Sequence, residues 1–175
     1  MLQLYTGEGK GKTTAALGLV LRATGAGKKI AWIAFDKGGE GHYSERKTIR
    51  ERLPEVEYFV TGLDRIMADG QFRFSVLPQD MEEGKRGLEI LERLLNEKRH
   101  GLIVLDEINS SAALGIVDAQ KVADLLKQAP PEIEIILTGR NAPPEFLALA
   151  DLVTEMKAHK HYFDAGIEAR EGIDY

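Results

Sequence analysis

Short apolar runs of strand length alternate along this chain with longer stretches whose apolar residues recur at helical spacing. Leu2 to Tyr5 reads as a first strand, and Thr13 to Thr24 as a helix closed by Gly25-Ala26-Gly27. Lys29 to Phe35 has the character of a buried strand and runs into the polar loop Asp36 to Gly41. Ser44 to Leu53 is a polar, surface-type helix stopped by Pro54, and Glu57 to Val60 a short third strand. Gln79 to Lys98 is the longest helix, with Leu88, Leu91, Leu94 and Leu95 on one face. Leu102 to Leu105 forms a strand ending in Asp106-Glu107, and Asp118 to Gln128 a helix followed by the turn Pro130-Pro131. Ile133 to Thr138 is a strand ending at Gly139-Arg140, Pro144 to Ala150 a short helix, and Leu152 to Met156 a last strand. This alternation predicts an α/β fold, a mostly parallel sheet flanked by helices. Thr61 to Pro78 shows no clear period, and such long connections in compact domains are usually functional or mobile. One domain is expected over residues 1–175, with the polar, aromatic-dotted tail 157–175 packed on it.

The junction between the first strand and the first helix carries the strongest chemistry. Thr6-Gly7-Glu8-Gly9-Lys10-Gly11-Lys12-Thr13-Thr14 is a glycine-rich turn followed by Gly-Lys-Thr, the arrangement of a nucleotide-phosphate-binding P-loop. Backbone N–H groups of such a turn cradle phosphate oxygens, and the helix adds its positive N-terminal end. Lys12 is the cation expected on the phosphates, and the Thr13 hydroxyl the group expected on Mg²⁺. The spacing is a variant. The usual signature sets a glycine five residues before Gly11, where this chain has Thr6; the glycine comes one place later, at Gly7.

Composition narrows the setting. With 43% hydrophobic and 29% charged residues the chain reads as an ordinary globular protein. Its net charge of −5 lends no electrostatic support to non-specific nucleic-acid binding. The lack of cysteine excludes disulfides, thiolate metal sites and Cys nucleophiles, and fits a cytoplasmic setting. The longest apolar stretch, Ala15 to Leu21, is far too short to span a membrane, and the chain opens into a strand rather than a leader.

Further candidates stand at predicted strand ends, the edge where open α/β sheets bind ligands. Asp106-Glu107 there are expected to help hold the Mg²⁺, directly or through water; an acid at this place can also activate water in an ATPase. Arg140 is a candidate phosphate clamp because guanidinium matches phosphate bidentately. Arg22 interrupts an apolar helix face and either reaches the nucleotide or snorkels to solvent. His159 and His161 would share one face of a strand, but without further His or Cys nearby they make a poor zinc site. Lys98-Arg99-His100 reads as charge compensation at a helix C-terminus.

Taken together and in this order, these residues resemble the P-loop ATP:corrinoid adenosyltransferases. The matching pieces are Tyr5 to Ala16, Arg22-Ala23 with Gly25, Phe35-Asp36-Lys37-Gly38, Val104 to Glu107, Leu137 to Arg140 and Leu149 to Glu155. The tail is the most specific part: Lys160-His161-Tyr162-Phe163-Asp164-Ala165-Gly166-Ile167, then Gly172-Ile173-Asp174-Tyr175. In this family the shifted glycine is normal. The resemblance implies transfer of the 5′-deoxyadenosyl group of ATP to the cobalt of a cob(I) corrinoid, with release of triphosphate. It also implies an inverted ATP whose ribose faces the cleft, Mg²⁺ or Mn²⁺, an electron-donating reductase and a homodimer. On this reading Gly7, Glu8, Gly9, Lys10, Gly11, Lys12, Thr13, Thr14, Arg22 and Arg140 bind the nucleotide. Lys12, Lys10, Arg22 and Arg140 neutralise the leaving triphosphate, and Thr13 and Glu107 lie at the metal. The chain departs from the family after Thr61-Gly62. Aromatics that handle the corrin are common there, whereas Leu63-Asp64-Arg65-Ile66-Met67 has none, and Phe72 and Phe74 come later. Two other readings stay open: γ-phosphate hydrolysis with Glu107 as base, and a nucleotide-binding module without turnover.

Overall fold

A computed structural model describes residues 1–39, 43–65, 73 and 75–175. Glu40 and Gly41 of the loop after the second strand, and Ile66, Met67, Phe72 and Phe74, lie outside the described residues. Six strands are described: β1 (Leu2–Thr6), β2 (Ile30–Ala34), β3 (Val56–Val60), β4 (Leu102–Asp106), β5 (Glu134–Thr138) and β6 (Leu152–Glu155). Between them run α1 (Lys12–Gly25), α2 (Ser44–Arg52), α3 (Pro78–Glu97), α4 (Ile108–Ala113), α5 (Ala119–Lys127) and α6 (Pro144–Leu149). The strands form one sheet in the order β3-β2-β4-β5-β1-β6, and every neighbouring pair is parallel.

Period-two alternation sorts the strand side chains onto two faces. Leu4, Ile33, Phe35, Ile103, Leu105, Ile135 and Leu137 join the core under α3, α5 and α6. Tyr5, Ile30, Trp32, Ala34, Val104 and Ile136 face the other way and pack with Ala16, Val20 and Ala23 of α1. Every residue of β2 and β4 is buried, as expected for parallel strands covered on both faces. β6 is exposed along its length at the sheet's edge. The leucine face of α3 is core, as its spacing predicts.

Two features depart from the sequence pattern. The short helix α4 follows directly on Asp106-Glu107, too brief to show a helical period. His100 is not an exposed charge at a helix end: it is 3% exposed, with Nε2 3.5 Å from the Glu57 carboxylate. The helix stops before it because Lys98 takes a left-handed conformation.

Where α3 begins, ion pairs take over from apolar packing. The Asp80 carboxylate accepts the Leu77 N–H and a bidentate pair from Arg73 at 2.7 and 2.8 Å. Arg65, almost fully buried, donates to Asp36 at 2.7 Å and to the carbonyls of Arg73 and Ser75. These contacts bind the end of β2 to the connection before α3.

Candidate functional site

All six strands run the same way, so their C-terminal ends and the helix N-termini that follow share one edge of the sheet. Thr6, which the usual signature would make a glycine, is the last residue of β1 and pairs with Glu155. Gly7 takes the turn instead, at φ 97°, where a Cβ would sit 2.5 Å from the Met156 carbonyl oxygen. The Gly9 N–H donates to that same carbonyl at 2.6 Å. Packing of the loop against the end of β6 therefore explains the shifted glycine. Lys12 opens α1, and its ammonium donates to the carbonyls of Gly7 at 2.7 Å and Gly9 at 2.9 Å. Burial pulls its pKa below the usual lysine value, against the opposing charge of Glu107.

Asp106 is the hub of the site. Its carboxylate is 1% exposed and accepts from Thr138 Oγ1 at 2.6 Å, Thr13 Oγ1 at 3.0 Å and Lys37 Nζ at 2.6 Å. The ends of β2, β4 and β5 and the first turn of α1 thus meet on one carboxylate. Glu107 takes a left-handed backbone at φ 61°, donates its N–H to Thr138 Oγ1, and accepts the Ser110 hydroxyl at 2.6 Å. Its other oxygen lies 3.9 Å from Lys37 Nζ. Burial alone would lower the Lys37 pKa, but Asp106 and then Glu107 outweigh it and hold the ammonium firmly charged. The acid bonded to the P-loop threonine is therefore Asp106, with Glu107 one step outside it.

A cleft of about 500 Å³ lies over this group. Glu8, Gly9, Lys10, Gly11, Lys12, Thr13, Thr14, Lys37, Glu107 and Arg140 line it, so nearly all the nucleotide residues expected from the sequence share one cavity. Arg140 enters beside Glu8 at 3.4 Å, both side chains well exposed. The tail forms the opposite wall with His161, Tyr162, Phe163 and Ile167. Lys10 fastens it, donating to the Ile173 carbonyl at 2.5 Å and standing 3.2 Å from Asp174. A hydrogen bond from the Tyr162 hydroxyl, helped by Arg170 and Lys10, holds Asp174 well below the usual carboxylate range. His159 does not line the cleft, and the described residues contain no cluster of three or more His, Cys, Asp or Glu suited to a metal.

Arg22 is not brought to the cleft. It lies ten residues beyond Lys12, a rise of about 15 Å along α1. It lines a separate depression with Gln3, Lys28, Gly101 and Glu134, at the end of the sheet where the strands begin. Within this chain it stands apart from the other residues expected at the nucleotide, and its exposure suits the snorkelling alternative. Lys37 and Thr138 carry more of the site than the sequence indicated. Thr138 ends β5 and Lys37 lies three residues beyond β2, and for Lys37 that position after Phe35-Asp36 was the available signal.

A glycine-rich strand-to-helix loop, its lysine and a parallel sheet define a P-loop nucleotide-binding fold. The model of the ATP:corrinoid adenosyltransferase family BtuR/CobO/CobP matches residues 1–175, and the chain belongs to that family of transferases. It is 35% identical over 172 residues to the corrinoid adenosyltransferase of Escherichia coli K12, covering 98% of this chain and 84% of that protein. It is 33% identical over 175 residues to the corrinoid adenosyltransferase of Pseudomonas aeruginosa, covering 100% and 83%. With the corrinoid adenosyltransferase CobA of Salmonella typhimurium the identity is 33% over 172 residues, covering 98% and 84%. Among the described residues no helix is long and apolar enough to cross a membrane.

Proposed function

We propose that this protein transfers the 5′-deoxyadenosyl group of ATP to the cobalt of a reduced corrinoid, releasing triphosphate. The observation that carries this reading is the cleft itself. A P-loop, a buried strand-end carboxylate and three cations (Lys12, Lys37 and Arg140) converge in a chain that matches the family throughout. Cob(I) attacks C5′ of ATP, a cobalt–carbon bond forms, and the C5′–O bond breaks with its electron pair leaving on triphosphate. Reduced cobalt is already a strong nucleophile, so the protein supplies no base. Its residues align the partners and stabilise charge that grows on the leaving group. Because the electrophile is a ribose carbon, the nucleotide lies inverted, with its triphosphate in the P-loop and its ribose toward the corrinoid.

Lys12 and the loop N–H groups hold the phosphates, and Arg140 meets them from β5. Mg²⁺ or Mn²⁺ fits the oxygen donors present: Thr13 Oγ1 and the Asp106 carboxylate converge within 3.0 Å of each other, with Glu107 behind them. A bound ion supplies neutralisation of phosphate charge there. Gly7, Glu8, Gly9, Lys10, Gly11 and Thr14 complete the nucleotide contacts. A homodimer in the cytoplasm, served by an electron-donating reductase, completes the proposal.

An anaerobic assay with ATP, Mg²⁺ and chemically reduced cobalamin tests it. The visible spectrum should turn to that of an alkylcobalamin, with one triphosphate per turnover and almost no phosphate when corrinoid is omitted. Rapid phosphate release without corrinoid, and no triphosphate with it, would instead make this an ATPase.

A further inference from the structure

The Lys37 ammonium sits on the oxygens that a divalent ion would use. It lies 2.6 Å from Asp106 Oδ2, 3.5 Å from Thr13 Oγ1 and 3.9 Å from Glu107 Oε1. No other described cation approaches Asp106 within ion-pair distance. Its backbone is fixed from two sides: the Lys37 N–H donates to the Thr61 carbonyl at 3.1 Å, and the Lys37 carbonyl accepts from Arg46. Arg46 is itself 3% exposed and stacked 3.8 Å over the Tyr43 ring. Only the four-carbon side chain is left to move. Lys37 lines the main cleft and also a neighbouring one of about 480 Å³ against Tyr43, so two directions are open to it.

A monovalent ammonium and a divalent ion cannot share one pair of oxygens, because like charges a few ångströms apart in a buried site repel strongly. We propose that Lys37 is a placeholder for the metal. It keeps the Asp106 carboxylate beside Thr13 neutralised until a metal–nucleotide complex arrives, and then moves from the carboxylate onto the incoming phosphate oxygens. This rests on the reading that the cleft takes metal–ATP, and it adds an order of binding. The free protein refuses the bare ion, and metal enters only with phosphate. The same movement carries one more cation to the leaving group.

Mn²⁺ binding to the nucleotide-free protein, followed by the loss of the free-ion paramagnetic resonance signal, tests this without turnover. Wild type should leave the signal of one equivalent of Mn²⁺ nearly unchanged. Lys37→Met, which keeps the unbranched stem but removes the charged end, should bind Mn²⁺ at least about tenfold more tightly. Lys37→Arg should behave like wild type. Adding Asp106→Asn to Lys37→Met should abolish the gain and so locate the ion. Tight Mn²⁺ binding by the wild-type protein alone would overturn the proposal, whether or not the variants fold. Equal binding by Lys37→Met and wild type would do the same. Neither result touches the transferase assignment, which stands or falls on triphosphate and the cobalamin spectrum.

Discussion

The two ends of the sheet carry charge in opposite ways. Where the strands finish, polar and charged groups converge, buried or half-buried: Lys12, Lys37, Thr13 and Thr138 all lie around Asp106 and the P-loop. Where the strands begin, charged groups stand apart. Arg22 and Lys28 line an open depression, and the N-terminal amine lies 3.9 Å from Glu134. A parallel sheet makes this difference unavoidable. Strand ends and helix N-termini meet at one edge only, so anion-binding N–H groups and facing side chains accumulate there. Charge at the other edge serves solvation and local pairing.

The largest test removes the hub. Asp106→Ala strands a nearly buried ammonium at Lys37 and the Thr138 hydroxyl, and should cost about 3 to 5 kcal/mol of stability, read by chemical denaturation. A loss below about 1 kcal/mol would mean that the strand ends are not organised by this carboxylate.

Lys12→Ala comes next. It should leave the circular dichroism native while weakening ATP binding by roughly 1.5 to 3 kcal/mol, read by titration calorimetry. The wild-type protein offers a companion measurement. Burial lowers the Lys12 pKa from 10.5, so its proton is lost earlier than from a free lysine as pH rises. Nucleotide affinity should therefore fall as pH climbs through a value below 10.5. Constant affinity across that range would detach the ammonium from phosphate binding.

Glu107→Gln should weaken metal use, with excess Mg²⁺ or Mn²⁺ restoring part of the rate. If Glu107 were instead the base of a hydrolase, added metal could not replace the lost proton acceptor. Its hydrogen bond to Ser110 already commits one carboxylate oxygen to the turn at α4.

The smallest effects belong to the exposed arginines and sharpen the contrast between the two edges. Arg140→Ala should slow turnover roughly tenfold if it meets the triphosphate, a loss of one charge-assisted contact. Arg22→Ala should change neither rate nor stability beyond about 0.5 kcal/mol. A strong kinetic defect in the Arg22 variant would mean that this edge contributes to a site built by more than one chain.

The sequence by itself determined the α/β alternation, the P-loop, the strand-end acids and the family, because each is local. Periodicity and a nine-residue phosphate loop need no knowledge of distant contacts. The boundaries of β2, β4 and β5 lie within a residue of those that pattern predicts. Only the tertiary structure decided which charges act together. The order β3-β2-β4-β5-β1-β6 brings Lys37, just beyond β2, to Asp106 and Thr138 at the ends of β4 and β5, far apart in sequence but close in the sheet. The packing of α1 against the end of β4 made Asp106, not Glu107, the partner of Thr13. Tertiary packing also buried His100, which a run of three basic residues disguised as a surface charge. The physical reason is common to all of these. A side chain's neighbours across a parallel sheet depend on crossover connections of many residues, and no local pattern records where such a connection lands.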